Sequence, residues 1–183
     1  MNNLIKIYKI YVNDIDMFYK MGNQCKEKKP EIEKIMLHGS SQEIIGEKKQ
    51  LVRCVLQWEL LTLQRPIATK ARRNIASYSL REKTPMGVQC TLRGKKMHDF
   101  LTRLLFLYLP RMNKINFLNP FEKSKVWTYV FEDIRSFLEV EYFFQYFENY
   151  PGIQCSVFFK NIKKFHEWNF IYLSGFAFPF EKN

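Results

Sequence analysis

Long apolar runs are absent from the sequence. A transmembrane helix needs about 20 consecutive apolar residues, and the most apolar helix-length stretch, residues 100–109, is broken by Thr102 and Arg103. No membrane span is therefore predicted. Glycine is also scarce, with seven residues in 183. Neither the phosphate-binding loop nor the dinucleotide-binding glycine pattern occurs, which excludes the nucleotide-dependent enzymes that use them.

Residues suited to catalysis or metal binding are few and scattered. Three isolated histidines fit no zinc-binding spacing: His38, His98 and His166. Ser174 lacks the upstream glycine of a nucleophile elbow. Glu139 and Glu141 lie two apart, so a strand would place both on one face, either as a paired-carboxylate site or, as we prefer, as a solvated acidic edge. The sequence predicts no enzyme, no metal and no cofactor.

Paired cysteines are missing as well. The four cysteines are far apart in the chain and show no metal-ligand spacing: Cys25, Cys54, Cys90 and Cys155. Cys90 and Cys155 lie in alternating apolar stretches, where a free cysteine behaves as a small core residue. A reduced internal compartment is therefore expected rather than a disulfide framework.

Positive charge is abundant and localised. The net charge is +11, and residues 65–96 contain nine basic residues and one acid, whereas residues 119–150 contain three basic and six acidic residues. A local basic field attracts polyanions through counterion release. A solvated face kept for solubility is the alternative interpretation. A lipid surface is a weaker one, because the basic stretch lacks an amphipathic helix.

Apolar spacing predicts a mixture of helices and strands. Strands are expected over residues 32–37, 67–69, 86–92, 126–131 and 153–159, and helices over residues 47–63, 97–109 and 161–173. An amphipathic first helix is predicted by apolar residues three to four positions apart: Leu4, Tyr8, Tyr11, Ile15, Phe18 and Tyr19. The polar stretch that leads to Pro85 is interpreted as a long loop. This irregular order indicates the α+β class.

Four short motifs in the basic region carry a family resemblance. Residues 64–76 read Gln-Arg-Pro-Ile-Ala-Thr-Lys-Ala-Arg-Arg-Asn-Ile-Ala, residues 80–82 Leu-Arg-Glu, residues 85–88 Pro-Met-Gly-Val and residues 91–94 Thr-Leu-Arg-Gly. They closely resemble the L-five family of large-subunit ribosomal proteins, which has Gln-Lys-Pro, Thr-Lys-Ala-Arg-Lys, Pro-Ile-Gly and Thr-Leu-Arg-Gly in this order. The resemblance is strong over residues 64–111 and collinear over residues 30–176.

The resemblance implies a fold and a set of partners. The family has a curved antiparallel sheet packed against helices in a single domain, which here implies a family core at residues 30–176 and an N-terminal helical extension at residues 1–29. The family binds 5S ribosomal RNA in the central protuberance of the large subunit, and it contacts P-site tRNA and the head of the small subunit. The implied partners are therefore 5S or other large-subunit RNA, tRNA and neighbouring ribosomal proteins, with a protein of the small-subunit head as a further one.

The resemblance also assigns candidate binding residues. The RNA-facing surface is expected to comprise His38, Gly39, Gln64, Arg65, Lys70, Thr91, Arg93, Lys95 and Lys96. The loop that resembles the tRNA-contacting loop carries Arg72, Arg73, Asn74, Ser77, Tyr78, Arg81 and Lys83. Arginine and lysine hold phosphates, whereas glutamine and threonine can hydrogen-bond base edges or 2′-hydroxyls. Tyr78 either stacks on an exposed base or ribose or packs on its own loop.

Departures from the family pattern indicate a mitochondrial member. His38 stands where the family has asparagine, and residues 116–125 have lost the glycines of a loop that contributes to the small-subunit bridge. Abundant Phe, Tyr, Ile, Lys and Asn suggest an AT-rich genome, for example that of an organelle. Some mitochondrial ribosomes lack 5S RNA, so the RNA partner stays open. A free-standing RNA-binding translation regulator is the alternative function, and an enzyme with an anionic substrate is a distant third.

Overall fold

Seven α-helices and five strands are found in the part of the chain that the computed structural model describes, which is residues 4–22, 30–78, 80–111, 126–131, 137–146, 152–160, 166–176 and 178. The helices are α1 (Leu4–Tyr8), α2 (Asp14–Met21), α3 (Gln42–Gly46), α4 (Lys48–Thr62), α5 (Gly94–Arg103), α6 (Leu138–Glu141) and α7 (His166–Gly175). The strands are β1 (Glu31–Ser40), β2 (Ile67–Lys70), β3 (Pro85–Leu92), β4 (Val126–Phe131) and β5 (Ile153–Lys160).

The five strands form one antiparallel sheet in the order β2-β3-β1-β5-β4. Because helices accompany a single antiparallel sheet, the prediction of an α+β domain is confirmed. Two compact units can be distinguished within it, Met1–Ile35 with Arg93–Tyr129 and Ser156–Asn183 as unit 1, and Met36–Leu92 with Val130–Cys155 as unit 2. The predicted boundaries of an extension at residues 1–29 and a core at residues 30–176 are not tested by this division and stay predictions.

Alternating burial along the strands follows the sequence pattern. In β5 the apolar residues Ile153, Cys155, Val157 and Phe159 are buried and the residues between them are more accessible, as the period of two requires. Strand β4 has the predicted bounds. Strand β1 is longer than predicted and continues to Ser40. All five predicted strands are therefore present.

The cysteines in the described part of the chain are buried thiols. Burial raises the pKa of the Cys155 thiol to about 12. For Cys54, burial and the nearby carboxylate of Glu43 raise the pKa to about 11. Both thiols therefore stay protonated at neutral pH and act as small apolar core residues, as does the buried Cys90. Cys25 lies outside the described residues.

The two most regular predicted helices are confirmed. In α4, Trp58 is buried, whereas Leu51 and Val55 are half-buried. After α5 the chain continues through a π-helical turn, Leu104–Tyr108, and a 3₁₀ turn that contains Pro110. Apolar residues three to four positions apart in this segment are buried, except for the half-buried Leu105: Met97, Phe100, Leu101, Leu104 and Tyr108.

Two elements differ from the prediction. Glu139 and Glu141 belong to helix α6 and not to a strand. At 3.6 residues per turn, positions two apart point about 200° away from each other, so the two carboxylates do not share a face. The last helix was predicted over residues 161–173, but it ends at Gly175, and residues 161–165 lie outside the described part of the chain.

The predicted first helix is present, but its apolar stripe is not its buried face. Leu4, Tyr11 and Phe18 are exposed, whereas Ile5 and Met17 are buried. The reason is a π-helical turn, Lys9–Asn13, between α1 and α2. A π turn contains more residues than an α turn, so it rotates the residues that follow it around the helix axis relative to those that precede it. A constant spacing of three to four residues therefore does not define the buried face.

Hydrogen bonds attach the N-terminal helices to α7 within unit 1. The buried Asn13 amide nitrogen donates to the carbonyl oxygen of Tyr172 at 3.2 Å, and the Tyr8 hydroxyl donates to the carbonyl of Gly175 at 3.0 Å. A Cβ atom added to Gly175 would overlap the Asn13 side chain. Glycine is therefore needed at the end of α7 because the Asn13 amide occupies the space of a side chain.

Substitution of Gly175 by alanine tests this contact. We expect Gly175→Ala to lower the free energy of unfolding by about 1–3 kcal/mol, the typical cost of overpacking, in urea denaturation followed by circular dichroism. The matched control is Gly46→Ala at the end of α3, where an added Cβ meets nothing within 4 Å. Alanine there is expected to be neutral or stabilising by up to about 1 kcal/mol, because glycine is a poor helix former. Equal effects at both positions would contradict the proposed overlap.

Candidate nucleic-acid interface

The basic region of the sequence folds as a β-hairpin within unit 2. Strands β2 and β3 pair antiparallel, with Ile67 opposite Gln89 and Thr69 opposite Gly87. The register shifts between Thr69 and Lys70, next to the point where the hairpin enters residues 71–84. In the strand order β2 has a neighbour on one side only, so the hairpin forms an edge of the sheet.

Residues 71–84, which we call the arm, were predicted as a long loop but continue the hairpin. The Ala71 N–H donates to the Thr84 carbonyl at 2.9 Å, and the Lys83 N–H donates to the Ala71 carbonyl at 3.0 Å. Farther along, Ile75 and Leu80 exchange two backbone hydrogen bonds of 2.9 and 3.1 Å. The arm is thus a hydrogen-bonded extension of the two strands, and its end is a 3₁₀ turn, Ala76–Tyr78.

Asn74 stabilises the arm from within. Its side-chain oxygen accepts a hydrogen bond of 2.6 Å from the backbone N–H of Glu82. Next to Glu82, Lys83 has a left-handed backbone with φ of +68°, a conformation that residues other than glycine adopt rarely. Asn74 was predicted to contact tRNA, and the structure gives its oxygen a role in holding the turn that contains Lys83.

The side chains assigned to tRNA contact are accessible to solvent. All seven candidates of the arm are exposed: Arg72, Arg73, Asn74, Ser77, Tyr78, Arg81 and Lys83. Tyr78 has 75% of its surface exposed, so its ring is accessible to a partner and packs little on its own loop. Among the described residues of the arm, Ala71 and Leu80 are buried.

The arm carries cations whose charge is not neutralised nearby. Within the described residues, the side chains of Arg72, Arg73, Arg81 and Lys83 form neither an ion pair nor a hydrogen bond. Glu82 is the one acidic residue in the arm. Exposed guanidinium groups that keep all their donors are suited to bidentate binding of phosphate. The arm can therefore bind a polyanion without first breaking internal contacts.

Gln64 and Thr91 lie together at the base of the hairpin. The Gln64 side-chain nitrogen donates to the Thr91 carbonyl at 3.2 Å, and both residues are half-buried. This bond uses neither the Gln64 side-chain oxygen nor the Thr91 hydroxyl. Within the described residues, the Gln64 side-chain oxygen, the second hydrogen of its amide and the Thr91 hydroxyl form no other hydrogen bond, so they are available to a base edge or a ribose hydroxyl. Arg65 and Lys70 are exposed at the two ends of β2.

His38 and Gly39 occupy the end of β1 as predicted, but Gly39 is buried by packing. A Cβ atom at Gly39 would lie 2.9 Å from the Trp58 ring of α4. Similarly, a Cβ atom at Gly87 would overlap the Gly39 carbonyl. Gly39 is thus required for the close approach of α4 to β1, and Gly87 for that of β3. Of the two candidates, only His38, which is half-buried, offers a side chain to a ligand.

The three remaining candidates belong to unit 1. Arg93 precedes α5, and Lys95 and Lys96 lie in its first turn, all with exposed side chains. They follow Thr91 closely in the chain. The three residues are therefore close to the base of the hairpin in sequence.

Other sites in the described residues have a different character. No group of three histidine, cysteine or acidic side chains is close enough to hold a metal ion there, and none of the helices described is long and apolar enough to cross a membrane. Unit 2 also contains a groove of about 790 Å³ between α4 and residues 143–146, lined mainly by apolar side chains with Arg53 and Glu59. This groove lacks the cationic surplus of the arm.

Comparisons with known proteins find relatives of this chain among ribosomal proteins. A model of the C-terminal region of the ribosomal L5 family matches residues 85–180. The large ribosomal subunit protein uL5m of Reclinomonas americana is 30% identical over the full length of both chains. The protein uL5 of Colwellia psychrerythraea is 30% identical over 98% of this chain and 99% of its own. The protein uL5 of Mesoplasma florum is 39% identical over 53% of this chain and 54% of its own.

The role assigned to Asn74 can be tested without a ligand. We expect Asn74→Ala to increase the exchange rate of the Glu82 backbone amide about fivefold, because one hydrogen bond contributes about 1 kcal/mol. Hydrogen exchange measured by NMR provides the readout. Ser77→Ala, at another exposed position of the arm, is the control and is expected to leave this rate unchanged. An unchanged rate in Asn74→Ala would show that the turn does not depend on the asparagine.

Proposed function

The chain belongs to the uL5 family of large-ribosomal-subunit proteins, and from this premise we propose that it binds large-subunit RNA with the base of its β2–β3 hairpin and contacts P-site tRNA with the arm. As a member of this family it is a structural component of the ribosome and not an enzyme. The observation that carries the proposal is the arm itself, an ordered hairpin extension with exposed cations that have no partners among the described residues.

The two parts of the hairpin have different tasks in this proposal. Gln64 and Thr91 at the base of the hairpin, and His38 at the end of β1, offer hydrogen-bonding groups that can distinguish bases or recognise 2′-hydroxyls. The cations Arg65 and Lys70, together with Arg93, Lys95 and Lys96, hold phosphates and thereby fix the orientation of the protein on the RNA. The arm, which has cations and Tyr78 but few groups that read bases, suits tRNA, whose sequence varies from one tRNA to the next.

The RNA partner is 5S RNA or, in a ribosome without it, the large-subunit RNA of the central protuberance. The uL5m protein of Reclinomonas americana, which matches the whole chain, supports a location in the mitochondrial ribosome. Encoding in the organelle's own genome is part of the same proposal and rests on the amino-acid bias. Neighbouring ribosomal proteins are further partners. The segment proposed for a small-subunit bridge, residues 116–125, lies outside the described residues.

Crosslinking of the tagged protein in its own cells, followed by sequencing of the attached RNA, tests this function. Crosslinks concentrated on 5S RNA or central-protuberance RNA, with some on tRNA, are expected, and the protein should stay with the large subunit in high salt. Crosslinks scattered over messenger RNAs, with release of the protein in high salt, would instead assign the chain to free-standing translation regulators.

Removing two arm cations should change the salt dependence of RNA binding. We expect Arg72→Ala with Arg73→Ala to weaken binding to tRNA and to reduce the slope of log K against log salt by about one unit per lost phosphate contact. Filter binding at several salt concentrations measures this slope. Arg53→Ala, which removes an exposed arginine of α4 in the same unit, is the matched control. Slopes that change equally in the control would show that only net charge matters.

Tyr78 should contribute to the affinity for tRNA without affecting the salt dependence of binding. Stacking of one base on an aromatic ring is worth about 1–3 kcal/mol, so Tyr78→Ala is expected to weaken tRNA binding about 5-fold to 150-fold with an unchanged salt slope. Tyr78→Phe keeps the ring and should bind like the wild type. If Tyr78→Phe loses as much affinity as Tyr78→Ala, the hydroxyl and not the ring makes the contact.

A further inference from the structure

The end of helix α4 contains a buried hydroxyl group with several partners. Thr62, the last residue of α4, is 1% exposed. Its hydroxyl lies 2.7 Å from the carbonyl oxygen of Trp58 and 2.9 Å from that of Gln64, to which it can donate. It also accepts from the Gln64 backbone N–H at 3.3 Å. The side chain of one residue therefore binds the backbone of Gln64 on both sides of its α-carbon.

The same hydroxyl also reaches strand β3. The Cys90 thiol donates to it at 3.7 Å, and Cys90 directly precedes Thr91. The hydroxyl has one proton and two lone pairs. Its two acceptor positions are thus taken by Gln64 and Cys90, and its proton serves the two carbonyl oxygens. Apart from the Trp58 carbonyl, the partners belong to Gln64 or to Cys90, the residue before Thr91.

This arrangement holds a turn that is otherwise unfavourable. Leu63, between Thr62 and Gln64, has φ of +52° and ψ of +30°, the left-handed conformation that residues with a side chain rarely adopt. The chain needs this conformation to leave α4 and enter β2. The bonds from Thr62 to Gln64 span Leu63, since they join its two neighbours in the chain.

We infer that Thr62 is a positioning residue for RNA recognition, because its hydroxyl fixes Gln64 and Thr91 in the arrangement that meets the RNA. The inference rests on the proposed function and adds a residue that never touches the RNA. A glutamine side chain has many rotamers, and restricting them before binding reduces the entropy lost in the complex. Gln64 is restricted twice, at its backbone by Thr62 and at its amide by the Thr91 carbonyl.

Thr62→Val is the variant that tests the inference, because valine has the shape of threonine and lacks the hydroxyl. We expect it to bind a 5S or central-protuberance RNA fragment about fivefold more weakly than the wild type, with an unchanged salt slope because no phosphate contact is lost. Thr62→Ser keeps the hydroxyl and should restore most of the affinity. Circular dichroism and thermal unfolding confirm that the proteins compared are folded at the binding temperature.

A double-mutant cycle with Gln64→Ala separates positioning from general stability. If Thr62 acts through Gln64, then Thr62→Val costs little further affinity in a protein that already carries Gln64→Ala. Independent effects of the two substitutions would overturn the inference. So would an unchanged affinity of Thr62→Val. Should Thr62→Val fail to fold, Thr62→Cys takes its place, since its weak S–H donor predicts an affinity between those of Thr62→Ser and Gln64→Ala.

The failure of the proposed function has a different signature. If neither Gln64→Ala nor Thr62→Val changes the affinity, the base of the hairpin does not read the RNA, and the positioning role is lost with it. If Gln64→Ala weakens binding and Thr62→Val does not, the RNA contact stands and the positioning role alone is wrong.

Discussion

Close approach of helix α4 to the sheet is the constraint on which the hairpin depends. Trp58 can lie against β1 because position 39 has no side chain, and β3 can lie close to β1 because position 87 has none either. Packing of this density leaves little room for a shift of α4 along the strands. Since α4 leads directly into Gln64 and β2, the position of Trp58 also fixes where the hairpin begins.

The arm is held in an ordered structure by its backbone and not by its charged side chains. Its cations repel each other and, in the described part of the chain, have no acidic partners, so electrostatics opposes a compact arm. Backbone hydrogen bonds across the arm and the burial of Ala71 and Leu80 offset this repulsion. A polyanion bound to the arm removes the repulsion. The charges that destabilise the free arm are therefore the same charges that attract a polyanion to it.

Sequence patterns predicted the parts of the fold that follow one regular period. Strand β5, with its alternating buried residues, and the apolar stripe of α5 are examples. The first helix was predicted, but its buried face was not, because no residue type indicates the π turn at Lys9–Asn13. Helix α3 was not predicted at all, although Ser41 caps it by accepting from the Glu43 N–H. Five residues are too few to show a period.

The candidate site divides in the same way. The candidate residues were proposed from charge and family resemblance, which are properties of the sequence. In the structure, all seven candidates of the arm are exposed. What charge and resemblance could not predict is which residues hold the others in place. Asn74, Gly39 and Thr62 act through one hydrogen bond, one missing side chain and one hydroxyl network. Such roles depend on distances between residues far apart in the chain, of which a single sequence gives no measure.

The separation of the two binding chemistries has a consequence for a ribosome that has lost its 5S RNA. Phosphate contacts tolerate a change of RNA, because any helix presents a similar array of charges. Hydrogen-bonding groups such as Gln64 and Thr91 do not, since they need a particular edge or hydroxyl at a particular place. Under the proposed function, a change of RNA partner therefore favours substitutions at the base of the hairpin and does not favour them in the arm. His38, which stands at the end of β1 where the family has asparagine, is another hydrogen-bonding side chain, so such a change is expected there as well.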